Sequence, residues 1–305
     1  MRNLPLPSPL EDTIAIVGVG LIGGSLAAAL KQSGACREVI GVGRDPRRLK
    51  NAQAAGLIDT FETDLRAAAK RASVVIVCTP VDRIIADVRT AAAEMSPGSL
   101  ITDAGSTKGA ICATLAELSS GPVTFVGSHP LAGSEKQGFE AAAAELFQGR
   151  LCVLTPLPDT PAAQVERTRR LWQAVGMRTC ELTPDDHDSA LAYTSHLPHA
   201  LASALSLTLP DEYQTLTATG YRDTTRVAAG DAELWTAIFR QNAQPLVAAL
   251  AAFSTRLAEL TAAIAHGDEA SLQNLLRQAK RHRDALDPPS SASTNSSAHE
   301  HPFAG

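Results

Sequence analysis

Three observations in the sequence predict an α/β fold with an all-helical second part. First, the β-branched run TIAIV at 13–17 feeds into Gly18-Val19-Gly20-Leu21-Ile22-Gly23, followed by a helical stretch at 25–31. Second, short and nearly continuous apolar runs alternate with helical stretches, as parallel strands covered on both faces should. Third, Thr183-Pro184-Asp185-Asp186 signals a helix start, and helical periodicity then continues to about Leu286 with almost no strand signal. The expected architecture is an N-terminal Rossmann dinucleotide-binding domain at 12–182, followed by an all-α dimerisation domain at 183–287. A short extension at 1–11 precedes them. A tail at 288–305, rich in Ser, His and Pro, follows and reads as disordered.

The chain has 305 residues, enough for two domains, and its 45% hydrophobic and 19% charged residues suit a soluble globular protein. A net charge of -5 argues against nucleic acid or an anionic membrane as partner, so any bound anion needs locally placed arginines. No run approaches the ~18 apolar residues of a membrane span. The N-terminus MRNLPLPSPLED has three prolines and no apolar core of a secretion signal. Five scattered cysteines without a CxxC pair are expected to be reduced, in a cytoplasmic protein.

The glycine run is GxGxxG between a strand and a helix. Gly18 permits a tight turn, Gly20 lets a pyrophosphate approach the backbone, and Gly23 lets the helix pack on the strand. The phosphates are expected at the helix N-terminus, on the N–H groups around Leu21 and Ile22. The second strand, 38–42, should end in an acidic residue ~20 positions on if the cofactor is NAD. It ends instead in Gly43-Arg44. Asp45 comes two residues late, positioned either for the ribose or to cap the helix opening at Pro46. Arg44, with Arg47 and Arg48 nearby, suits a 2′-phosphate or is a solvated basic helix start. NADP is therefore the expected cofactor, with NAD the alternative.

The next strands, 74–78 and 99–103, end in Thr79-Pro80 and in Ala104-Gly105-Ser106-Thr107-Lys108. Both turns fall at the edge that faces the nicotinamide half. Ser106 and Lys108 are donors there, or equally a helix cap and a solvated first-turn residue. The apolar run 123–126 leads to His129-Pro130-Leu131-Ala132-Gly133-Ser134-Glu135. A histidine just past a strand end lies in the crevice where open α/β sheets bind ligands, so His129 is expected to accept a hydrogen bond from a substrate hydroxyl during hydride transfer. A helical segment is expected at 138–147, an apolar run at 151–154, an amphipathic stretch at 161–175, and a last run at 177–182.

In the helical part, Ala190, Leu191, Tyr193, Thr194, Leu197, Leu201 and Leu205 have the spacing of buried helices, and the apolar excess suggests a homodimer interface. Three groups there carry chemistry. His196 and His199 stand at i and i+3, a spacing that suits a metal, but no third or fourth ligand lies nearby in sequence and none is expected. Arg222 and Arg226 flank Asp223, and an arginine near a cleft is a natural carboxylate clamp. Trp235 is either packing or a lid.

The segments GVGLIGGSLAAAL, DAGSTK, SHPLAGSEKQGFE, SHLPHALA and GYRDTTRVAAGDAELW resemble, in order, the motifs of the prephenate/arogenate dehydrogenase family of tyrosine biosynthesis. The resemblance covers about Thr13 to Leu286. It implies a Rossmann domain with a helical dimerisation domain, and oxidative decarboxylation of prephenate to 4-hydroxyphenylpyruvate or of arogenate to tyrosine. By motif position, His129 resembles the histidine that accepts the hydroxyl hydrogen bond, and Ser106 the serine beside that hydroxyl. His199 and Ser195 resemble further site residues, and Arg226 the arginine on a substrate carboxylate. Glu135, with Ser134 beside it, and Asp223 resemble residues of the polar network at the site entrance. Trp235 resembles one that reaches in from the partner subunit. Gly43-Arg44 departs from the NAD-using members, which carry an acidic residue. No chorismate mutase segment precedes the glycine loop and no ACT-like domain follows Leu286, so a monofunctional enzyme is expected, acting on prephenate with arogenate as the alternative. Two rivals remain: a β-hydroxyacid dehydrogenase or imine reductase, which should place a catalytic lysine or other donor on the helices, and an NADP-sensing regulator, which needs no histidine at the crevice.

Overall fold

The computed structural model describes residues 8–133, 136 and 138–286. Ser134, Glu135 and the tail at 288–305 lie outside the described residues. The chain falls into two compact units, one up to Ala249 and one from Leu250.

One eight-stranded sheet organises the first unit. Its strands are β1 (Glu11–Val17), β2 (Cys36–Val42), β3 (Thr60–Glu62), β4 (Val74–Val77), β5 (Leu100–Asp103), β6 (Thr124–Pro130), β7 (Leu151–Thr155) and β8 (Arg178–Glu181), in the order β3-β2-β1-β4-β5-β6-β7-β8. Strands β1 to β6 pair in parallel, β7 runs antiparallel to β6, and β8 is parallel to β7. Helices α1 (Leu21–Ser33), α2 (Pro46–Ala54), α3 (Leu65–Arg71), α4 (Ile84–Ala92), α5 (Gly109–Thr114) and α6 (Ala162–Ala174) cover the sheet. The second half of β1 shows why its sequence is apolar: Ile14 and Ile16 enter one core with Leu26, Leu30 and Trp172, while Ala15 and Val17 enter the other with Val77, Ile84 and Val88. Strand order reverses beside β1, so the loops after β1 and β4 flank the crevice where such sheets bind ligands.

The helices that follow are α7 (Pro184–Leu191), α8 (Leu197–Leu207), α9 (Thr219–Thr225), α10 (Ala232–Gln241), α11 (Ala243–Ala265) and α12 (Glu269–Asp284). A π turn, Ala192–His196, joins α7 to α8 just before Pro198.

Several expectations are corrected. His129 is not past the strand end: β6 continues to Pro130, because residues 127–130 pair with β7 and His129 lies opposite Val153. The segment 138–147 is not one helix but two 3-10 turns, Phe139–Ala141 and Ala144–Phe147. Gly138 has φ +82, Ala142 is extended, and the turns press onto the small residues of α1, with Ala143 N–H donating to Ser25 Oγ at 3.0 Å. Three-residue β3 lacks the apolar run that would announce it. Glu11 belongs to β1 rather than to an extension, buried against Arg167 of α6, which grips it through two 2.6 Å bonds. The periodic residues at 190–205 are not uniformly buried: Leu191 is, but Tyr193 is 53% and Leu205 38% exposed. By length and composition alone the alanine-rich 23-residue α11 is apolar enough to cross a membrane, although Arg256 and Glu259 interrupt its apolar run.

Candidate functional site

The site grows from the loops at the C-terminal edge of the sheet. After β1 the chain turns at Gly18 (φ +93), whose N–H donates to Val42 O at 2.8 Å. A Cβ here would meet Cys78 O at 2.9 Å, so only glycine lets this loop lie against the end of β4. At Gly23 a Cβ would lie 2.1 Å from Gly18 O, whereas at Gly20 it would meet nothing within 4 Å. Two glycines are thus demanded by packing, and the third leaves its side open to a ligand. Gly20 caps α1 without any side-chain hydrogen bond, so no capping side chain takes the first-turn N–H groups of Leu21, Ile22 and Gly23. An anion suits such a helix start. A cavity of about 750 Å³ opens beside it, lined by Gly18, Gly20, Gly43, Arg44, Thr79 and Pro80 among others. Its size and donors fit a dinucleotide.

At the end of this cavity beside β2, Asp45 caps α2, accepting from the N–H of Arg47 at 2.9 Å and of Arg48 at 3.4 Å. Arg48 stands 3.8 Å from Glu140 and over the ring of Phe139. Arg44 is exposed on the cavity wall. Thr79 donates its hydroxyl to Asp87 at 2.7 Å.

The other end of the crevice holds a buried polar network. His129 is 8% exposed, and its Nδ1 lies 2.9 Å from Nε2 of His187 on α7. Nδ1 of His187 is 2.8 Å from Oδ1 of Asp188. That carboxylate also accepts the N–H of Lys108 and of Gly109, both at 2.8 Å. Asn242 donates to Asp188 O at 2.8 Å and sits 2.9 Å from Nδ1 of His196. Asp103, at the end of β5, pairs with Lys108 and accepts from the N–H of Gly105 at 2.9 Å and of Ser128 at 3.0 Å. Lys108 is wholly buried, so it is not a solvated first-turn residue. Ser106 is half-buried in this loop, which is gripped by Asp103 at one end and Asp188 at the other. Thr107 donates to Gln241 of α10 at 2.6 Å.

Burial dominates the electrostatics. It holds His129 well below the ordinary imidazole range, with the neighbouring His187 and Lys108 adding to the effect. Burial also lowers His187, against the pull of Asp188, and pushes His196 down to about 4. For Asp188 burial acts upward, but hydrogen bonds from His187, Lys108 and Gly109 outweigh it and the carboxyl is lowered. The three imidazoles are neutral at pH 7.

Sequence-predicted residues of the helical part form a second cluster. His199 stacks on Trp235 with ring centroids 3.5 Å apart, and Trp235 meets His196 edge-on at 6.2 Å. The indole therefore lies on its own chain's His199. Gly230 makes the stack possible, since a Cβ there would stand 2.5 Å from Trp235 Nε1. Ser195 is half-buried in the π turn. Arg226 is exposed and opens a 3-10 turn, Arg226–Ala229, that packs along α8, and Asp223 is exposed on α9. The network holding His129 runs through α7 and the 103–109 loop, a different segment from these two. Among the described residues, His196 Nε2, His199 Nδ1 and Asn242 Oδ1 are buried polar atoms without a hydrogen-bond partner. No three His, Cys, Asp or Glu side chains among those residues converge as a metal site does.

His187, Asp188 and Asn242 escape the sequence reading. The first two sit in what reads as an acidic first helical turn, and no spacing links them to His129, 58 positions earlier. An acidic residue directly after a histidine is the one local signal.

The family description "Prephenate dehydrogenase, nucleotide-binding domain" matches residues 26–181, and "Prephenate dehydrogenase, dimerization domain" matches 183–278. The chain is 30% identical to a Bacillus subtilis prephenate dehydrogenase over 91% of its own length and 76% of that protein. It is 34% identical to a Zymomonas mobilis cyclohexadienyl dehydrogenase, over 90% and 95%. The solved structure of Aquifex aeolicus prephenate dehydrogenase with hydroxyphenyl propionate and NAD+ superposes with a TM-score of 0.84 at 30% identity, covering 90% of this chain and 98% of that one.

Proposed function

The chain belongs to the prephenate dehydrogenase family, and on that premise we propose that it converts prephenate to 4-hydroxyphenylpyruvate and CO₂ in tyrosine biosynthesis. The observation that carries the reading is a neutral, buried His129 at the sheet edge that also bears the dinucleotide cavity. When bound by the 18–23 glycine loop and the start of α1, a nicotinamide cofactor would supply the acceptor for the hydride that leaves C4 of the substrate ring. His129 accepts the hydrogen bond of the C4 hydroxyl as positive charge develops on that carbon. The C1–carboxylate bond breaks, its electron pair enters the ring, and CO₂ leaves. The ring becomes a phenol, so any proton lent to His129 returns to oxygen and none is released. Aromatisation supplies much of the driving force, which leaves the protein chiefly to position and polarise.

Ser106 is assigned to the same hydroxyl, and Arg226 to a substrate carboxylate. Ser195, His199, Asp223 and Trp235 are assigned to the surrounding wall. The unpartnered atoms of His196, His199 and Asn242 support a polar ligand here, because buried polar groups ordinarily have partners.

NADP is the proposed cofactor. Asp45 is already engaged as a helix cap, while Arg44 lines the cavity with an exposed guanidinium suited to phosphate. The helical part is proposed to form a homodimer, and the five free cysteines favour a cytoplasmic setting. An assay of nicotinamide reduction with prephenate and arogenate, each with NADP and NAD, tests the reaction, the substrate and the cofactor. Activity with neither substrate overturns the function, and a preference for arogenate or NAD corrects the substrate or the cofactor.

A further inference from the structure

Which nitrogen of His129 is free to accept is decided two side chains away. Three donors converge on Asp188: the N–H of Lys108, the N–H of Gly109 and Nδ1 of His187, each at 2.8 Å. An ionised carboxylate only accepts, so Nδ1 of His187 carries its proton. A neutral imidazole has one donor and one acceptor nitrogen, so Nε2 of His187 is bare. Nδ1 of His129, 2.9 Å away, must then donate to it. That leaves the lone pair of His129 on Nε2.

We propose that His187 and Asp188 are positioning residues that hold His129 in the tautomer with Nε2 as acceptor, and that Asp188 anchors the Ser106 loop at the same time. The proposal rests on the assignment of His129 as the acceptor of the substrate hydroxyl. Gly109 supports it independently. A Cβ there would stand 2.9 Å from Asp188 Oδ2, so glycine is what lets the carboxylate reach the backbone of that loop. One carboxylate thereby sets both the base and the loop beside it. The fixed tautomer follows the logic of the serine-protease triad, where a buried aspartate orients a histidine and replacing it with the amide costs about 10⁴ in rate.

The pair is surrounded by Lys108 and Asp103 from β5 and its loop, Asp188 from α7, His196 from the π turn and Cys152 from β7. Protonating His187 would turn its Nε2 into a donor and reverse the hydrogen bond to His129. The acid limb of kcat therefore reports the relay as well as His129.

The test has two arms. In the full-length protein without substrate, ¹⁵N-histidine NMR should show His129 protonated on Nδ1 and bare on Nε2; the opposite tautomer overturns the proposal. In kinetics, His187→Asn keeps a donor toward Asp188 but loses the acceptor, so kcat should fall by roughly 10²–10⁴ with KM changed only a fewfold. His187→Gln places an amide oxygen near the lost Nε2 and should recover much of the rate, with the acid limb of kcat shifted. Equal losses in both variants, or KM rising steeply as kcat falls, indicate a merely structural role and overturn it. A wild type that reduces no cofactor with prephenate while showing the expected tautomer sinks the function and leaves the relay. An active wild type with the opposite tautomer sinks the relay alone.

Discussion

At the scale of single residues, the proposed function divides the chemistry between His129 as acceptor and Arg44 as anion clamp. The depressed basicity of His129 leaves it a lone pair for accepting at neutral pH, and in the proposed reaction the hydroxyl bond tightens only as hydride leaves. His129→Asn should therefore lower kcat by about 10²–10⁴ while leaving substrate affinity within a fewfold. Stopped-flow binding combined with steady-state rates would show it, and a variant near wild-type kcat would remove His129 from the reaction. Arg44, as the proposed phosphate clamp, would act on the ground state of cofactor binding. Each charge-assisted hydrogen bond is worth ~1.5–3 kcal/mol, so loss of one or two should erase a roughly tenfold or larger preference for NADP in kcat/KM. Arg44→Ala should leave the NAD reaction nearly unchanged. A wild type that prefers NAD would mean that Asp45 gives up its cap to bind the ribose.

Among the elements, the β1–α1 junction is the most constrained. Gly23 has no space for a methyl group: its Cβ would sit 2.1 Å from the carbonyl oxygen of Gly18, a backbone atom that cannot swing aside. Gly23→Ala must move α1 off β1, at a cost of roughly 1–3 kcal/mol by the usual penalty for overpacking. Urea unfolding should show that loss, and dinucleotide affinity should fall with it because the same shift moves the first-turn amides. An unchanged midpoint with unchanged affinity would mean that the loop relaxes freely. The α7–α8 connection is constrained differently. Its π turn precedes Pro198, which has no N–H to offer the helix, and both His196 and His199 end up buried.

For the whole molecule two consequences follow. Apolar side chains stand exposed on the helical part, among them Leu207 at 88% and Leu216 at 76%. A homodimer would cover such surface, and light scattering at micromolar concentration should return twice the chain mass; a fully active monomer would contradict it. Acid stability is the second. His129, His187 and His196 all bind protons less readily when folded, so the unfolded chain takes up more protons as pH falls. Their contribution is complete above the unfolded value near 6.5 and is lost as pH drops toward the folded values, about 4 for His196. The lowered Asp188 carboxyl acts in the same direction at lower pH. At ~1.4 kcal/mol per pKa unit, His196 alone accounts for roughly 3 kcal/mol. Urea midpoints should therefore fall steadily from pH 7.5 to 4.5, and a flat profile would mean that these rings titrate normally.

Local chemistry makes much of this protein legible in its sequence. The glycine loop can be read because phosphate binding needs glycines at set intervals between a strand and a helix, and the β1, β2, β4 and β5 runs because the stretches of strand buried on both faces are mostly apolar. Asp45 and Pro46 announce their helix for the same kind of reason, a cap and a fixed φ acting within three residues. His129 can be named from the residues around it, but not what decides its tautomer. That depends on His187 and Asp188, brought to it by the packing of α7 against the end of β6 and the start of α5, and hydrogen bonds across 58 and 80 positions leave no periodicity. The continuation of β6 through His129 and the non-helical 138–147 segment are equally hidden, since one is set by pairing with β7 and the other by the small face of α1. Burial of Lys108 is the clearest case. A lysine beside a turn reads as solvated until the fold sets Asp103 against it and closes the core over both.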